Sequence, residues 1–458
     1  MKKKMCMFLA MSMVLGLSAC SAQSPQQTQQ TQAPQESQQT EQEQPAQEQE
    51  VTAEASEGFQ PALDPSSSSQ INVAGSYDNF EALEAEFDRF NEFYPNVELT
   101  YTKIDDYNNM VGTVLGGNDA PDIYVNYSWM YGREQYQSSI DYAENLADPA
   151  LGLDLSCIRS NIILNTSDGT LPMVPVFSNT YGMLVNNDLF EKEGLSVPTT
   201  YQDMVAVCDA FREKGYENPM MGFSNKETTS LFTVAIYPYF CETVADDPEA
   251  IEKLNALDPA AGEYMRPALE KIQQFMDDGC VDLNACAEIE NNYDAVILRF
   301  FEGDIPMMIC SGDAVSGTKK RESRSEAFIA SPFTYSFAPV PISDNGLNFL
   351  DMPNLQFSVN KKSPDLDMAN EFMRFLITTE ELNEMAQQKG LLSPTKDLSF
   401  NAMYAAFGAV PESRILSPEV FGLRDDAVIQ LRQAAYRVAT GSMTIDEAIA
   451  AFGTYTNE

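Results

Sequence analysis

The chain of 458 residues contains no histidine. That absence removes the base of Ser-His and Cys-His nucleophile systems and the commonest zinc and iron ligand. Carboxylate-only chemistry survives, such as glycoside hydrolysis by paired acids, and so does calcium or magnesium binding through oxygen. No DxDxDG-type loop occurs, however, and Asp105-Asp106, Asp246-Asp247 and Asp277-Asp278 read as helix starts or surface pairs. No metal and no cofactor are expected. Basic residues are scarce as well: 28 Lys and Arg against 68 Asp and Glu give a formal charge of −40. Nucleic acid is therefore excluded as a partner, and so are anionic lipid surfaces, since both need clustered cations. Tryptophan occurs once, at Trp129. Cys157, Cys208, Cys241, Cys280, Cys286 and Cys310 form no CxxC and are scattered through apolar segments, so they read as buried thiols as readily as bridges.

The N-terminus opens with Lys2, Lys3 and Lys4, then an apolar stretch from Met5 to Leu17, then Ser18-Ala19-Cys20. The core is shorter than the ~20 apolar residues that span a bilayer, so residues 1–19 read as a cleaved export signal. Small residues directly before Cys20 resemble the lipobox of bacterial lipoproteins, which implies that Cys20 becomes the first mature residue and carries the lipid. A plain signal peptide with an incidental cysteine is the alternative. Residues 20–69 are rich in Gln, Glu, Ser, Thr and Pro with few large apolar side chains, and such a segment buries too little surface to offset its ordering entropy. It is expected to be a disordered tether with a reach of ~35–40 Å.

From about Gln70 onward the chain is long enough for two sizeable cores. Residues 71–75 read as a strand. Phe80, Leu83, Phe87, Phe90 and Tyr94 then recur at helical spacing on one stripe, with Ser76 or Asp78 as N-cap and Pro95 as stop. Val97, Leu99 and Tyr101 alternate as a second strand. A helix from about Asp105 turns Met110, Val111, Val114 and Leu115 inward and stops at Gly116-Gly117, and Ile123 to Tyr127 forms a third strand. Strand–helix–strand–helix–strand predicts a parallel sheet flanked by helices. Ligands of open sheets sit beyond the carboxyl ends of the strands, which selects Ser76 to Asn79 and Ser128 to Tyr131. Trp129 lies in the second of these loops, where it reads either as a contact or as a rim aromatic.

Several segments in their shared order then resemble the family-1 extracellular solute-binding proteins, the class of the maltose-binding proteins of ABC importers. They are Ala120-Pro121-Asp122-Ile123-Tyr124; Tyr181-Gly182-Met183 through Asp188-Leu189-Phe190 with Gly194-Leu195 and Pro198 to Met204; Phe301 to Met308; and Gly441 to Ala448, where Thr444 and Glu447 have capping-box spacing. The resemblance covers about Ile71 to Tyr455. It implies an α/β, two-lobed, periplasmic-binding-protein-like fold (type II), with a mainly parallel sheet in each lobe and a hinge between them. Lobe 1 is expected over 70–178 and 340–392, and lobe 2 over 179–339 and 393–458. It further implies a non-enzymatic, monomeric protein, lipid-anchored at the extracellular face of the cell membrane. Such a protein captures a small solute, a mono- or oligosaccharide, for ABC permease subunits. A ligand sensor for a membrane receptor and a carboxylate-based glycan-active enzyme are the competing readings. The contact positions carried over are Tyr77, Asp78, Ser128, Trp129, Asn179, Tyr181, Asp313 and Phe421. Asp313 stands where maltose-type members have a stacking indole, which points toward a smaller sugar or a polar or amine-bearing solute.

Overall fold

The computed structural model describes residues 58–456 except 132, 291, 399 and 400. The export signal, Cys20 and residues 20–57 of the expected tether lie outside the described residues.

The first third of the chain folds as its periodicity dictates. Strand β1 (Ser69–Gly75) pairs in parallel with β2 (Val97–Lys103), Ile71 opposite Leu99. It also pairs in parallel with β3 (Ile123–Asn126). Between them run α1 (Glu81–Phe93) and α2 (Tyr107–Leu115). The stripe of Phe80, Leu83, Phe87, Phe90 and Tyr94 is buried throughout. Neither Ser76 nor Asp78 caps α1, however. Its N-cap is Phe80, with no side-chain hydrogen bond. In α2, Val111 and Leu115 are buried but Met110 is exposed.

The end of the expected tether is folded. Residues 58–69 lie along the first core, with the Phe59 ring 5.1 Å from Phe93 and 5.4 Å from Phe375, edge-on to both. Ala62 N–H donates to Glu371 at 2.7 Å, and Leu63 N–H to the Tyr94 hydroxyl at 3.1 Å. Phe59, Ala62 and Leu63 are apolar residues at the edge of a polar tract, and they carry enough surface to dock.

Two separate cores result. The first gathers buried residues from Ile71 to Phe177 and again from Leu355 to Leu391. The second gathers Tyr181 to Leu350 and Leu392 to Phe452. Val340, Ile342, Phe349 and Leu350 thus pack with the second core, although the return to lobe 1 is expected near residue 340. The first sheet is completed by Gln356–Val359 and Val174–Pro175, with Gln356–Val359 antiparallel to both β3 and Val174–Pro175. The second sheet runs Met220–Met221, Met307–Ser311, Tyr181–Asn186, Tyr335–Ala338. There Tyr181–Asn186 is antiparallel to both neighbours and only Met220–Met221 pairs in parallel. The expectation of mainly parallel sheets therefore fails in the second sheet, while the first is mixed, with β1 parallel to both its neighbours, and the α/β class stands. The reason is chain direction: Gln356–Val359 and Tyr181–Asn186 start at the crossings between the cores, whereas β3 and Met307–Ser311 run toward them.

Helix Leu231–Val244 is buried on almost every side against the second sheet, as an all-round apolar helix must be. The last helix, Ile445–Ala450, carries the capping box of Thr444 and Glu447. The chain passes between cores three times, near residues 177–181, 350–355 and 391–395. At the crossings Ser178–Asn179 pairs with Met352–Pro353, and Ser178 bridges to Leu392. One buried ion pair joins all three. Arg159 clasps Asp351 with two bonds, Nε to Oδ2 at 2.7 Å and Nη2 to Oδ1 at 2.8 Å. Its Nη1 donates to the carbonyls of Ser393, at 2.8 Å, and Thr395. Asp351 also accepts from Asn161 Nδ2 at 2.9 Å and from the Ser178 hydroxyl.

Candidate functional site

Asn126, the last residue of β3, turns the chain by accepting the Tyr127 N–H on its own amide oxygen at 3.0 Å. A single helical turn, Ser128–Met130, follows, anchored by buried Met130. That turn lifts Trp129 out of the first core. The indole is held from two sides: it stacks on Tyr127 at 5.8 Å and meets the Tyr136 ring edge-on at 5.2 Å. The Arg133 guanidinium lies 5.5 Å from its centroid, a cation–π contact of about 0.5–1 kcal/mol where solvent-exposed.

Trp129 and Ser128 line a cavity of about 660 Å³, within the range of small-molecule sites. Its first-core wall adds Arg133, Tyr131 and the segment from Leu164 to Thr166. The opposite wall belongs to the second core: Tyr237 from helix Leu231–Val244, Glu419, and the residues from Gly422 to Asp426 that begin helix Asp425–Ala439. Arg133 spans the two walls, donating from Nη2 to Asp425 Oδ2 at 2.6 Å. Glu419 is a half-buried acid of this wall, with its Oε2 out of reach of solvent. Desolvation, reinforced by the charges of Asp425 and Asp351, pushes its carboxyl up to about 7. Its own backbone N–H and the Ser417 hydroxyl beside it oppose that shift only in part.

A second polar group lies at the crossings. Asp313 accepts from Asn179 Nδ2 at 2.9 Å and from Asn354 Nδ2 at 3.2 Å, so it ties two crossing segments to the end of Met307–Ser311. Gly312 makes this approach possible, because a Cβ there would sit 2.5 Å from Asn179 Oδ1. Burial raises the Asp313 carboxyl above its ordinary range against the pull of the two amides. After burial, the charge of Asp313 is a further cause of the raised hydroxyl pKa values of Tyr77 and Tyr181.

The positions expected from sequence thus separate. Ser128 and Trp129 line the cavity. Asn179 and Asp313 form the crossing cluster, with Tyr77 facing it from the first lobe and holding the Lys389 ammonium 4.1 Å from its ring. Tyr181 is buried behind the wall, 6.3 Å from the Tyr237 ring. Asp78 turns to solvent and pairs with Lys103 at 2.6 Å, which lowers its pKa. Phe421 is half-buried against the second core; its neighbours 422–426 reach the cavity. Tyr131 lies in the loop the sequence selected, whereas sequence reasoning missed Arg133, Tyr237, Glu419, Arg424 and Asp425. Tyr237 sits in an apolar helix where it reads as core. For Glu419 the available signal was an acid in the apolar run Val420-Phe421-Gly422-Leu423 before a helix start.

An aromatic plate facing polar groups across a cleft can stack on an apolar ligand face while pairing its hydroxyls. Comparison with known proteins agrees with a binding site. The family model of the bacterial extracellular solute-binding proteins matches residues 85–412. The melibiose/raffinose/stachyose-binding protein of Bacillus subtilis is 25% identical over 146 residues, and the match spans about a third of each chain (32% of both). Among solved structures, apo RafE of Streptococcus pneumoniae superposes with a TM-score of 0.65 at 17% identity, covering 85% of this chain and 98% of that one. The sugar-binding protein MalE of Xanthomonas citri gives 0.62 at 18%, covering 84% and 95%. These likenesses show the two-lobed fold, and the family is one of binding proteins rather than enzymes. This chain belongs to the bacterial extracellular solute-binding proteins.

Proposed function

We propose that this protein captures a sugar outside the cell, between its two lobes, and delivers it to the permease of an ABC importer. The observation that carries the reading is Trp129, standing on the wall of an interlobe cavity opposite Tyr237 and Glu419. The indole offers a flat apolar surface to the C–H face of a pyranose, and Ser128, Arg133 and Asp425 offer partners for its hydroxyls. Contacts from both lobes favour a closed state over an open one, so bound solute shifts the hinge equilibrium. Asp313 and Asn179, with Tyr77 facing them, shape the crossing end of the cleft, with Tyr181 and Phe421 as support behind it. Lipid on Cys20, after removal of residues 1–19, holds the protein at the membrane, and residues 20–57 give it reach. The similarity to a raffinose-family binding protein supports the sugar class.

Trp129 is the only tryptophan, so intrinsic emission reports the cavity selectively. A soluble form lacking residues 1–57 should show a saturable emission change with melibiose, raffinose or stachyose, together with a raised melting temperature. Trp129→Ala should lose most of the affinity measured by calorimetry. If no mono- or oligosaccharide changes emission or melting, the proposal is wrong.

A further inference from the structure

Six cysteines lie among the described residues, all as free thiols, and five of them are buried. Four meet oxygen or main-chain partners. Cys157 donates to the Asp154 carbonyl at 3.4 Å, Cys241 bonds the Tyr237 hydroxyl, and Cys286 and Cys310 bond the main chain at Gly222 and Leu184. Cys208 and Cys280 differ, because each is fully buried and its partner is the other thiol.

Local structure brings this pair together. In helix Tyr201–Glu213, Tyr201, Cys208 and Arg212 recur at spacings of seven and four, so they share one face. That face meets three successive residues beyond the end of helix Arg266–Asp277. The Tyr201 hydroxyl donates to Asp278 Oδ2 at 2.6 Å, and Arg212 Nη2 donates to the Gly279 carbonyl. Gly279 stands in the left-handed region at φ 66°, where it ends the helix and turns Cys280 toward Cys208. The Cys208 thiol donates to the Cys280 sulfur, which pushes the first thiol up and holds the second below its ordinary range.

We infer that Cys208 and Cys280 close into a disulfide when the chain folds outside the cell, stapling helix Tyr201–Glu213 to the end of helix Arg266–Asp277 within the second lobe. Sulfurs already in contact are within the reach that a disulfide demands. An extracellular family also meets the oxidising conditions in which such bonds persist. The oxidant is itself a disulfide, carried by a thiol–disulfide oxidoreductase or by a small molecule. One cysteine thiolate attacks it and expels one oxidant sulfur, and the other cysteine then attacks the mixed disulfide and expels the second. Two protein thiols thus become one S–S bond. Two electrons pass to the oxidant, and its two sulfurs leave as thiols carrying the two protons. Neither cysteine is reachable once the second core has closed, so the exchange belongs to folding and precedes burial. Neither lines the cavity, so the bond is independent of the solute captured.

The test takes the full chain from an exporting bacterial host, unfolds it in urea, and refolds it either with mixed oxidised and reduced glutathione or with dithiothreitol. Each product is alkylated with iodoacetamide in denaturant, then digested and mapped by mass spectrometry. The glutathione product should carry label on Cys157, Cys241, Cys286 and Cys310, with Cys208 and Cys280 unlabelled and joined in one cross-linked peptide. The dithiothreitol product should carry label on all six. Closing so long a loop constrains the unfolded chain, so the linked protein should melt about 5–10 °C above the reduced one. The double variant Cys208→Ala with Cys280→Ala should melt alike after either refolding. Alkylation of Cys208 and Cys280 in the glutathione product, their linkage to other cysteines, or a linked protein that melts no higher than the reduced one would overturn the staple.

Discussion

Asp351 is the most demanding single position for stability. It is fully buried, its partner Arg159 is 6% exposed, and together they tie the segment near 159, the strand at Ser178 and the loop at Ser393 and Thr395. Asp351→Ala removes two guanidinium bonds, one amide bond and one hydroxyl bond, and strands a buried cation. Removing one partner of a buried pair costs about 3–5 kcal/mol, a large part of the ~5–15 kcal/mol that holds a domain folded. Urea unfolding of the form lacking residues 1–57 measures this directly, followed by far-ultraviolet circular dichroism and by Trp129 emission. The loss should appear in both probes. Because the pair joins the crossings, the two transitions should also separate in the variant, since the rings packed on Trp129 belong to the first lobe whereas circular dichroism reports both. The double substitution Arg159→Met with Asp351→Leu should recover most of the loss, as apolar replacement of buried ion pairs commonly does. A loss below about 1 kcal/mol for Asp351→Ala would refute the view that this pair holds the hinge.

Phe59→Ala should cost about 1–2 kcal/mol, less than full burial of a phenylalanine because its ring is half-buried; truncation at Gln70 should cost at least as much, and equal melting temperatures would show that residues 58–69 do not dock. Glu86 is buried against Glu381, and burial first, then that acid's hydrogen bond and charge, push it up to about 9 despite Arg89. Its folded value exceeds the unfolded one, so its contribution is fully present below about 4.5 and is lost as pH rises toward 9. Glu86→Gln should therefore raise the melting temperature at pH 8 and change it little at pH 5; a uniform effect would contradict the raised pKa of Glu86. Gly312→Ala should weaken sugar binding by disturbing the Asn179–Asp313 contact, and calorimetry showing wild-type affinity would place that cluster outside the site. Alkylation of the native protein should label half-exposed Cys157 slowly, because burial pushes its thiol up to about 11, and should spare the five buried cysteines; rapid labelling of Cys208 or Cys310 would contradict the packing of the second core.

The sequence by itself determined whatever depends on neighbours within a few residues. The spacing of Phe80, Leu83, Phe87, Phe90 and Tyr94 is enough to define the buried face of α1, and Thr444 with Glu447 defines the start of the last helix. Trp129 was legible as a candidate because it follows a strand end, where open sheets place their ligands. The lack of histidine excluded whole classes of catalysis before any fold was known. The tertiary structure decided what depends on residues far apart in the chain. Arg159 and Asp351 are 192 positions apart, and Arg133 and Asp425 are 292 apart. No periodicity links them, because pairing across a hinge leaves no mark on local spacing. Strand direction likewise followed from where the chain crosses between cores, which turned the second sheet largely antiparallel. Tyr237 and Glu419 resemble core and surface residues respectively in sequence. Only the closing of one lobe's wall against the other makes them face the same cavity as Trp129.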